Sequence, residues 1–371
     1  MTTEGTTENS SKSGTSSTST MMPHVGMNLE HNGKTWTIIK TLASGPFSEV
    51  FEAIDTETKA HYAMKTEKEV GTIRPVLKLD VFVLRMIQSQ SHVISTVGFP
   101  KIHDAGRTDN FKYVVMQLVG PDLSKLRRSL PDKKFSLITA LRVCAQTLDR
   151  IETLHNMGWL CRDIKAPNFA IGLGDQAGII YMLDFGFARR FVDNNNQHVR
   201  PRAAAAILGT IHYAPIASHF GREQSRRDDL ESWFYMCVEL LSGPLPWANL
   251  DHRRQHQLIC EWKQFARKGG RQQFLKECPL EFDTILNMID ALRYYERPNY
   301  RLISAQIEKT IDRLNLDRMA PFEWQVDNGK ILEKANYIGD LGESHLLSLK
   351  LREAKKQKLE EGEKIAIDIT T

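Results

Sequence analysis

Cysteine is scarce in this 371-residue chain: its five thiols, Cys144, Cys161, Cys237, Cys260 and Cys278, are odd in number, scattered and never arranged as CxxC. That excludes a disulfide framework and a structural zinc site of ordinary spacing, and it fits a reducing compartment, the cytoplasm and also the nucleus. Long apolar runs are missing too. No segment approaches the roughly 18 uninterrupted apolar residues of a membrane span, and residues 1–20 lack the apolar stretch of a secretory leader. Excess charge is small, since a net +4 is the ordinary balance of a solvated surface and gives no reason to expect nucleic-acid binding. No membrane or nucleic-acid partner is therefore expected, and the chain is expected to be monomeric.

What is present is a globular composition, 41% hydrophobic and 25% charged, enough for one large core or two lobes. "TTEGTTENSSKSGTSSTST" has almost nothing to bury, so residues 1–30 are expected to be a disordered leader. From Trp36 the texture changes. "WTIIKTLASG", "EVFEAID" and "HYAMKTE" are short β-branched and aromatic runs bounded by turn-formers, which predicts a small antiparallel sheet. After Pro75, the spacing of Val76, Leu77, Val81, Leu84 and Ile87 predicts one helix attached to it. "KYVVMQLVGPDL" is a further strand, broken at Gly120-Pro121. Helices dominate beyond it: Leu137, Leu141, Cys144, Leu148, Ile151 and Leu154 make a stripe between Ser136 as N-cap and Gly158 as stop. "DDLESWFYMCVELLSG" and "EFDTILNMIDALRYY" predict further core helices. The class is α+β and bilobal, a β-rich lobe over about 36–118 and a helical lobe over about 119–316, followed by an extension over 317–371.

Between the two textures lies "LCRDIKAPNFAIG", which sets Asp163, Lys165 and Asn168 within six positions. The next residues predict a hairpin, Phe169–Ile171 against Ile179–Leu183 about a turn from Gly172 to Gly178. Antiparallel pairing would bring Asn168 beside Asp184, because neighbouring strands run about 4.8 Å apart. An amide oxygen and a carboxylate suit a hard cation such as Mg²⁺, which takes one or two protein ligands and completes its shell with phosphate and water. With Asp163 and Lys165 adjacent, the site has a base, a positive charge and a metal position, the equipment for moving a phosphoryl group.

Each such residue taken singly is a common loop-former; ordered co-occurrence is the argument. "YAMK" ending at Lys65, "CRDIKAPN" from Cys161 to Asn168 and "DFG" from Asp184 to Gly186 follow the general protein kinase template in order. Over residues 36–325 the chain resembles the casein kinase one superfamily, through "YVVMQLVGPDLSKLRRS", "DIKAPNFAIG", "YMLDFGFAR", "LGTIHYA", "RRDDLESWFYM" and "GPLPW". "PFEWQ" at Pro321–Gln325 is similar to a segment of its tau-tubulin kinase branch. The resemblance implies a Ser/Thr protein kinase that uses ATP and Mg²⁺ on protein substrates. It implies Asp163 as catalytic base, Lys165 steadying the transferring phosphate, Asn168 and Asp184 holding Mg²⁺, and Lys65 on the α- and β-phosphates. Leu42, Val50, Ala63 and Ala170 would sandwich the adenine, with Met116 as gatekeeper and Gln117 to Val119 as hinge. Asp229 would support the catalytic loop.

The chain departs from the pattern in places. In the glycine-rich loop "LASGPFSEV", Ala43 and Ser48 replace the outer glycines, leaving only Gly45, preceded by Ser44. Asp80 stands where the family has the Glu that pairs with the strand lysine, and Cys161 replaces a His. A pseudokinase scaffold would explain these changes as drift, and a small-molecule phosphotransferase is a third reading; retention of all five polar site residues favours an active kinase. A catalytic Cys161 would need an activating His that the spacing does not indicate, and His252 and His256 lack the HExxH glutamate. Arg189, Arg190, Arg200 and Arg202 face one Asp193 after "DFG", which favours acidic or phospho-primed substrates. Arg202 lies seven residues before Gly209, where the resemblance puts an anion-binding arginine, and Arg253 and Arg254 are expected to extend that patch.

Overall fold

Alternation of buried and open positions makes the first third of the chain a sheet. The computed structural model of the protein describes residues 22–45, 48–69, 75–207, 209–326 and 331–332; the leader 1–20, loop residues Pro46 and Phe47, and the charged tail 352–364 lie outside them. Strands β1 (Asn28–His31), β2 (Lys34–Ser44), β3 (Glu49–Asp55), β4 (His61–Lys68), β5 (Ile102–Arg107) and β6 (Phe111–Gln117) form one antiparallel sheet in the order β1-β2-β3-β4-β6-β5. Trp36, Ile38, Phe51, Met64 and Val115 fill one face, while Val50, Ala63, Val114 and Met116 meet Leu77 of helix α1 (Leu77–Ser89) on the other.

Helix α1 is held by β4. The side chains of Ala63, Lys65 and Glu67 share a face, and Glu67 Oε1 accepts hydrogen bonds from the free N–H groups of Val76 (2.6 Å) and Leu77 (3.2 Å) at the helix start. A carboxylate there also matches the positive end of the helix dipole. One turn further in, Asp80 reaches Lys65.

The sheet starts earlier than expected. Leu29 pairs with Trp36 and is buried, and His31 Nδ1 lies 3.0 Å from Asp104 Oδ1, so residues 28–30 belong to the sheet rather than to a leader. A four-residue strand with one buried apolar position carries no periodicity to read.

The second lobe contains α2 (Leu123–Ser129), α3 (Leu137–Asn156), β7 (Trp159–Leu160), β8 (Phe169–Ile171), β9 (Ile180–Met182), β10 (Arg189–Arg190), α4 (Ile216–His219), α5 (Arg226–Ser242), α6 (His256–Phe265), α7 (Arg271–Phe274), α8 (Glu281–Ala291), α9 (Tyr300–Arg313) and α10 (Glu323–Val326). Helix α5 is buried on every side from Asp228 to Leu241, and α3, α8 and α9 pack their apolar stripes around it or one another. Each buried large side chain contributes roughly 1.5–3 kcal/mol. Ser136 takes the N-cap position of α3 without a side-chain cap bond; its backbone N–H donates instead to Glu323 Oε1 at 2.5 Å. Gly158, at φ +81°, ends the turn as expected.

The extension expected from residue 317 is in part core. Phe322 and Trp324 stack on each other, both fully buried, and Trp324 Nε1 donates to Ala177 O at 2.9 Å in the β8–β9 turn. The domain therefore runs at least to α10.

Candidate active site

The predicted hairpin forms with Phe169 opposite Met182, and its turn contains a short 3₁₀ segment, Gly174–Gln176. Leu183 N donates to Asn168 O at 2.8 Å, which continues the pairing by one residue and delivers Asp184 beside Asn168. Asn168 Nδ2 donates to Asp163 O (2.8 Å) and Asp163 Oδ2 (3.2 Å), so Oδ1 is presented on the opposite side of the amide. Asp184 keeps over a third of its side chain open. Among the described residues no three His, Cys, Asp or Glu side chains gather as a metal cage. An Asn oxygen with one carboxylate remains, a donor set that fits Mg²⁺ sharing its shell with phosphate.

Asp163 is buried, with both oxygens engaged. Oδ1 accepts from Thr210 N (2.9 Å) and Thr210 Oγ1 (3.2 Å), while Oδ2 lies 2.8 Å from Lys165 Nζ. Lys165 also donates to Thr210 Oγ1 at 2.9 Å, closing a triangle of acid, amine and hydroxyl. Burial alone would lower the Lys165 pKa, but Asp163 outweighs it and the ammonium is held. Gly209 is obligatory here: at φ +85° a Cβ would stand 2.7 Å from Arg162 O and 3.1 Å from Asp163 Oδ1.

Lys65 Nζ bridges Asp80 Oδ2 (2.7 Å) and Asp184 Oδ1 (3.3 Å). Burial opposes its charge, yet Asp184 and Asp80 together raise its pKa above the ordinary lysine value. Asp184 is likewise pushed up by burial but brought below the usual carboxylate value by Lys65 and Lys165. The other oxygen of Asp80 accepts from Phe185 N at 3.0 Å, so one short side chain ties α1 to both the lysine and the DFG backbone. Asp184 itself sits at φ +60°, a strained position for a non-glycine residue, compensated by Gly186 N donating to its Oδ1 at 3.1 Å.

Behind the catalytic loop, Asp229 of α5 accepts from Cys161 N (2.7 Å), Arg162 N (2.8 Å) and His155 Nε2 (2.9 Å). The structure thus places Asp229 under the loop, as the resemblance implies. His155 Nδ1 lies 2.6 Å from Tyr300 OH on α9, a link the sequence did not reveal. Thr210 and Glu67 were also missed; Thr210 stood inside the quoted "LGTIHYA" without a role.

Leu42, Ala43 and Ser44 close β2, Gly45 follows, and Gly45 N donates to Ser48 O at 2.9 Å. Ala63 pairs with Met116 and Val50 with Lys65 across the sheet, bringing Val50, Ala63, Met116 and Leu118 into one apolar cluster. Gln117 turns its side chain onto Gln176 Oε1 (2.9 Å) and Tyr181 OH (3.0 Å), fastening the connection that runs through Val119 to the β8–β9 hairpin, where Ala170 is buried.

At the expected anion site, carboxylates of the chain itself are already engaged. Arg202 forks onto Glu223, with Nη2 3.2 Å from Oε1 and Nε on Oε2, and Arg189 and Arg162 approach the same carboxylate at 3.5 and 3.9 Å. The expected anion fork is therefore occupied by an acid of the chain itself, 21 residues on, which local charge counting could not foresee. Arg253 and Arg254 donate their backbone N–H groups to Asp251 Oδ1 in the turn before α6. Cys161 is buried and its thiol is pushed well up by burial, which removes it as a nucleophile. His252 packs edge-on against the His212 ring rather than pairing with His256.

Residues 36–307 match the protein kinase domain. The chain is 46% identical over 333 residues to "Serine/threonine-protein kinase spe-6" of Caenorhabditis elegans, covering 89% of this chain and 86% of that protein. It is 37% identical over 293 residues to a probable serine/threonine-protein kinase of Dictyostelium discoideum, covering 78% of this chain and 56% of that protein. Family match, fold and these relatives agree: the chain belongs to the protein kinase family, as a serine/threonine kinase that uses ATP.

Proposed function

We propose that this kinase belongs to the casein kinase one superfamily, in its tau-tubulin kinase-like branch, and that Mg²⁺ is its metal. The branch rests on the motifs quoted above and on the buried Phe322 and Trp324 of the "PFEWQ" segment. ATP with its divalent ion supplies the phosphoryl group and shields its charge. Lys65 holds the α- and β-phosphates, Asn168 Oδ1 and Asp184 carry the metal, and Val50, Ala63, Met116, Leu42 and Ala170 enclose the base. The Asp163 carboxylate takes the proton of the acceptor hydroxyl while Thr210 fixes it through Oδ1, and Lys165 stabilises charge on the transferring group.

The single observation that carries this reading is the Asn168–Leu183 backbone bond, which brings residue 184 next to Asn168 in the strand pairing, while the Asn168 amide itself bonds to Asp163. The acceptor is a protein Ser or Thr without obligatory priming through Arg202, because that guanidinium already has its carboxylate. The test is ATP affinity as a function of Mg²⁺. Wild type should bind more tightly as Mg²⁺ is added and Asp184→Asn should lose that dependence; an affinity indifferent to Mg²⁺ in wild type would sink the assignment.

A further inference from the structure

Lys263 of α6 is fully buried, yet among the described residues no carboxylate pairs with it. Its Nζ donates instead to Ile211 O (2.7 Å), Ala214 O (2.7 Å) and His219 Nε2 (3.1 Å). Three acceptors use all three N–H bonds of an ammonium, and the cation also lies over the rings of Tyr235 (5.1 Å) and Trp247 (5.7 Å). Burying a charge without an adjacent counter-ion is costly. Burial indeed lowers the amine's pKa, to about 7, with Glu231 pulling the other way. A surface lysine would have done for packing alone; this one is placed against backbone.

The backbone it holds is the segment that follows Thr210. Tyr213 N and Ala214 N both return to Thr210 O, at 2.9 and 3.0 Å, making a single tight turn. The carbonyls that follow are taken by the helical lobe: Ile211, which also accepts from Ala214 N at 3.3 Å, and Ala214 by Lys263, and His212 by Trp247 Nε1 at 2.9 Å. Just beyond, Glu231 Oε1 accepts from Ile216 N at 2.7 Å. The residue at the head of this turn is the one whose N–H and hydroxyl grip Asp163, so the ammonium is separated from the catalytic carboxylate by one turn of fixed backbone.

We propose that Lys263 is a positioning residue for phosphoryl transfer, clamping residues 211–214 so that Thr210 orients Asp163 and Lys165 toward the acceptor hydroxyl. It touches neither nucleotide nor acceptor. The nucleotide is held by Lys65, Asp184 and the hinge on the other side of Asp163, so the clamp acts on acceptor turnover and not on ATP binding. The inference rests on the serine/threonine kinase activity.

The experiment compares wild type, Lys263→Met, Thr210→Ala and the double variant, using an acceptor peptide selected from a degenerate Ser/Thr library for turnover by wild type, with ATP affinity measured separately. Wild-type turnover checks the kinase activity itself. Lys263→Met should lower kcat/KM for the peptide about tenfold or more, as misplacement of a reacting group does, and leave ATP affinity within about twofold. The double variant should fall little below Thr210→Ala alone, because both changes break the same path. Lys263→Gln, which retains two N–H donors, gives the same comparison if the Met variant fails to fold. Unchanged peptide turnover, losses that multiply in the double variant, or a parallel loss of ATP affinity in both lysine variants would each overturn the proposal.

Discussion

Asp80 Oδ2 accepts from Lys65 Nζ at 2.7 Å although Asp is one C–C bond shorter than the Glu of the kinase template. The pair closes because Glu67 draws the start of α1 onto β4. Asp80→Asn leaves Lys65 with Asp184 alone and should cost about 1–3 kcal/mol of unfolding free energy, below the full cost of orphaning a buried charge. Asp80→Glu lengthens a buried side chain whose two oxygens are already seated on Lys65 Nζ and Phe185 N, and should turn over ATP more slowly than wild type. A glutamate variant as fast as wild type would show that the helix is not drawn in.

Asp229 accepts from two catalytic-loop N–H groups and from His155. Asp229→Ala leaves those donors buried without a partner and should cost about 3–5 kcal/mol, read by urea unfolding. A loss under 1 kcal/mol would mean that water or another group replaces the carboxylate.

Phe322 and Trp324 lie beyond the stretch that matches the kinase family, which ends at residue 307, yet both are buried. Trp324→Ala should destabilise by about 3–5 kcal/mol, as large-to-small core changes of this size do. Ending the chain at residue 316 should be at least as damaging; a truncated protein with an unchanged melting temperature would contradict the docking.

Glu281 accepts from Arg313 Nε and Nη2, each at 2.8 Å, and these bonds hold its carboxyl down at about 2 against an ordinary 4.5. The folded pKa is depressed, so the stabilisation is complete above the unfolded value and is lost as pH falls from there through the folded value. With Arg313 partly in water, the contribution should be roughly 1–2 kcal/mol. Glu281→Gln should therefore lower stability at pH 7 and match wild type near pH 2.

How much was legible follows from sequence distance. The hairpin that joins Asn168 to Asp184 is local, and its two apolar runs and glycine turn stand in the sequence. Lys65, Asp163, Asn168 and Asp184 could be named because their strings are short and ordered. Glu67 at the start of α1 was missed since a strand-end glutamate looks like any solvated charge until the helix arrives above it. Thr210 and Asp163 are 47 residues apart, and His155 and Tyr300 are 145 apart, with nothing in either neighbourhood to pair them. At Arg202 the basic neighbours were legible, but the Glu223 carboxylate it pairs with was not.

The central claim is that Asp163, held by Thr210 and Lys165, is the base for transfer of the ATP γ-phosphate to a protein hydroxyl. It is tested most directly by peptide phosphorylation with Mg-ATP, comparing wild type with Asp163→Asn, which keeps shape and loses basicity. The expected result is a fall in kcat of about 10²–10⁴ with ATP affinity retained. An asparagine variant with wild-type kcat would contradict it.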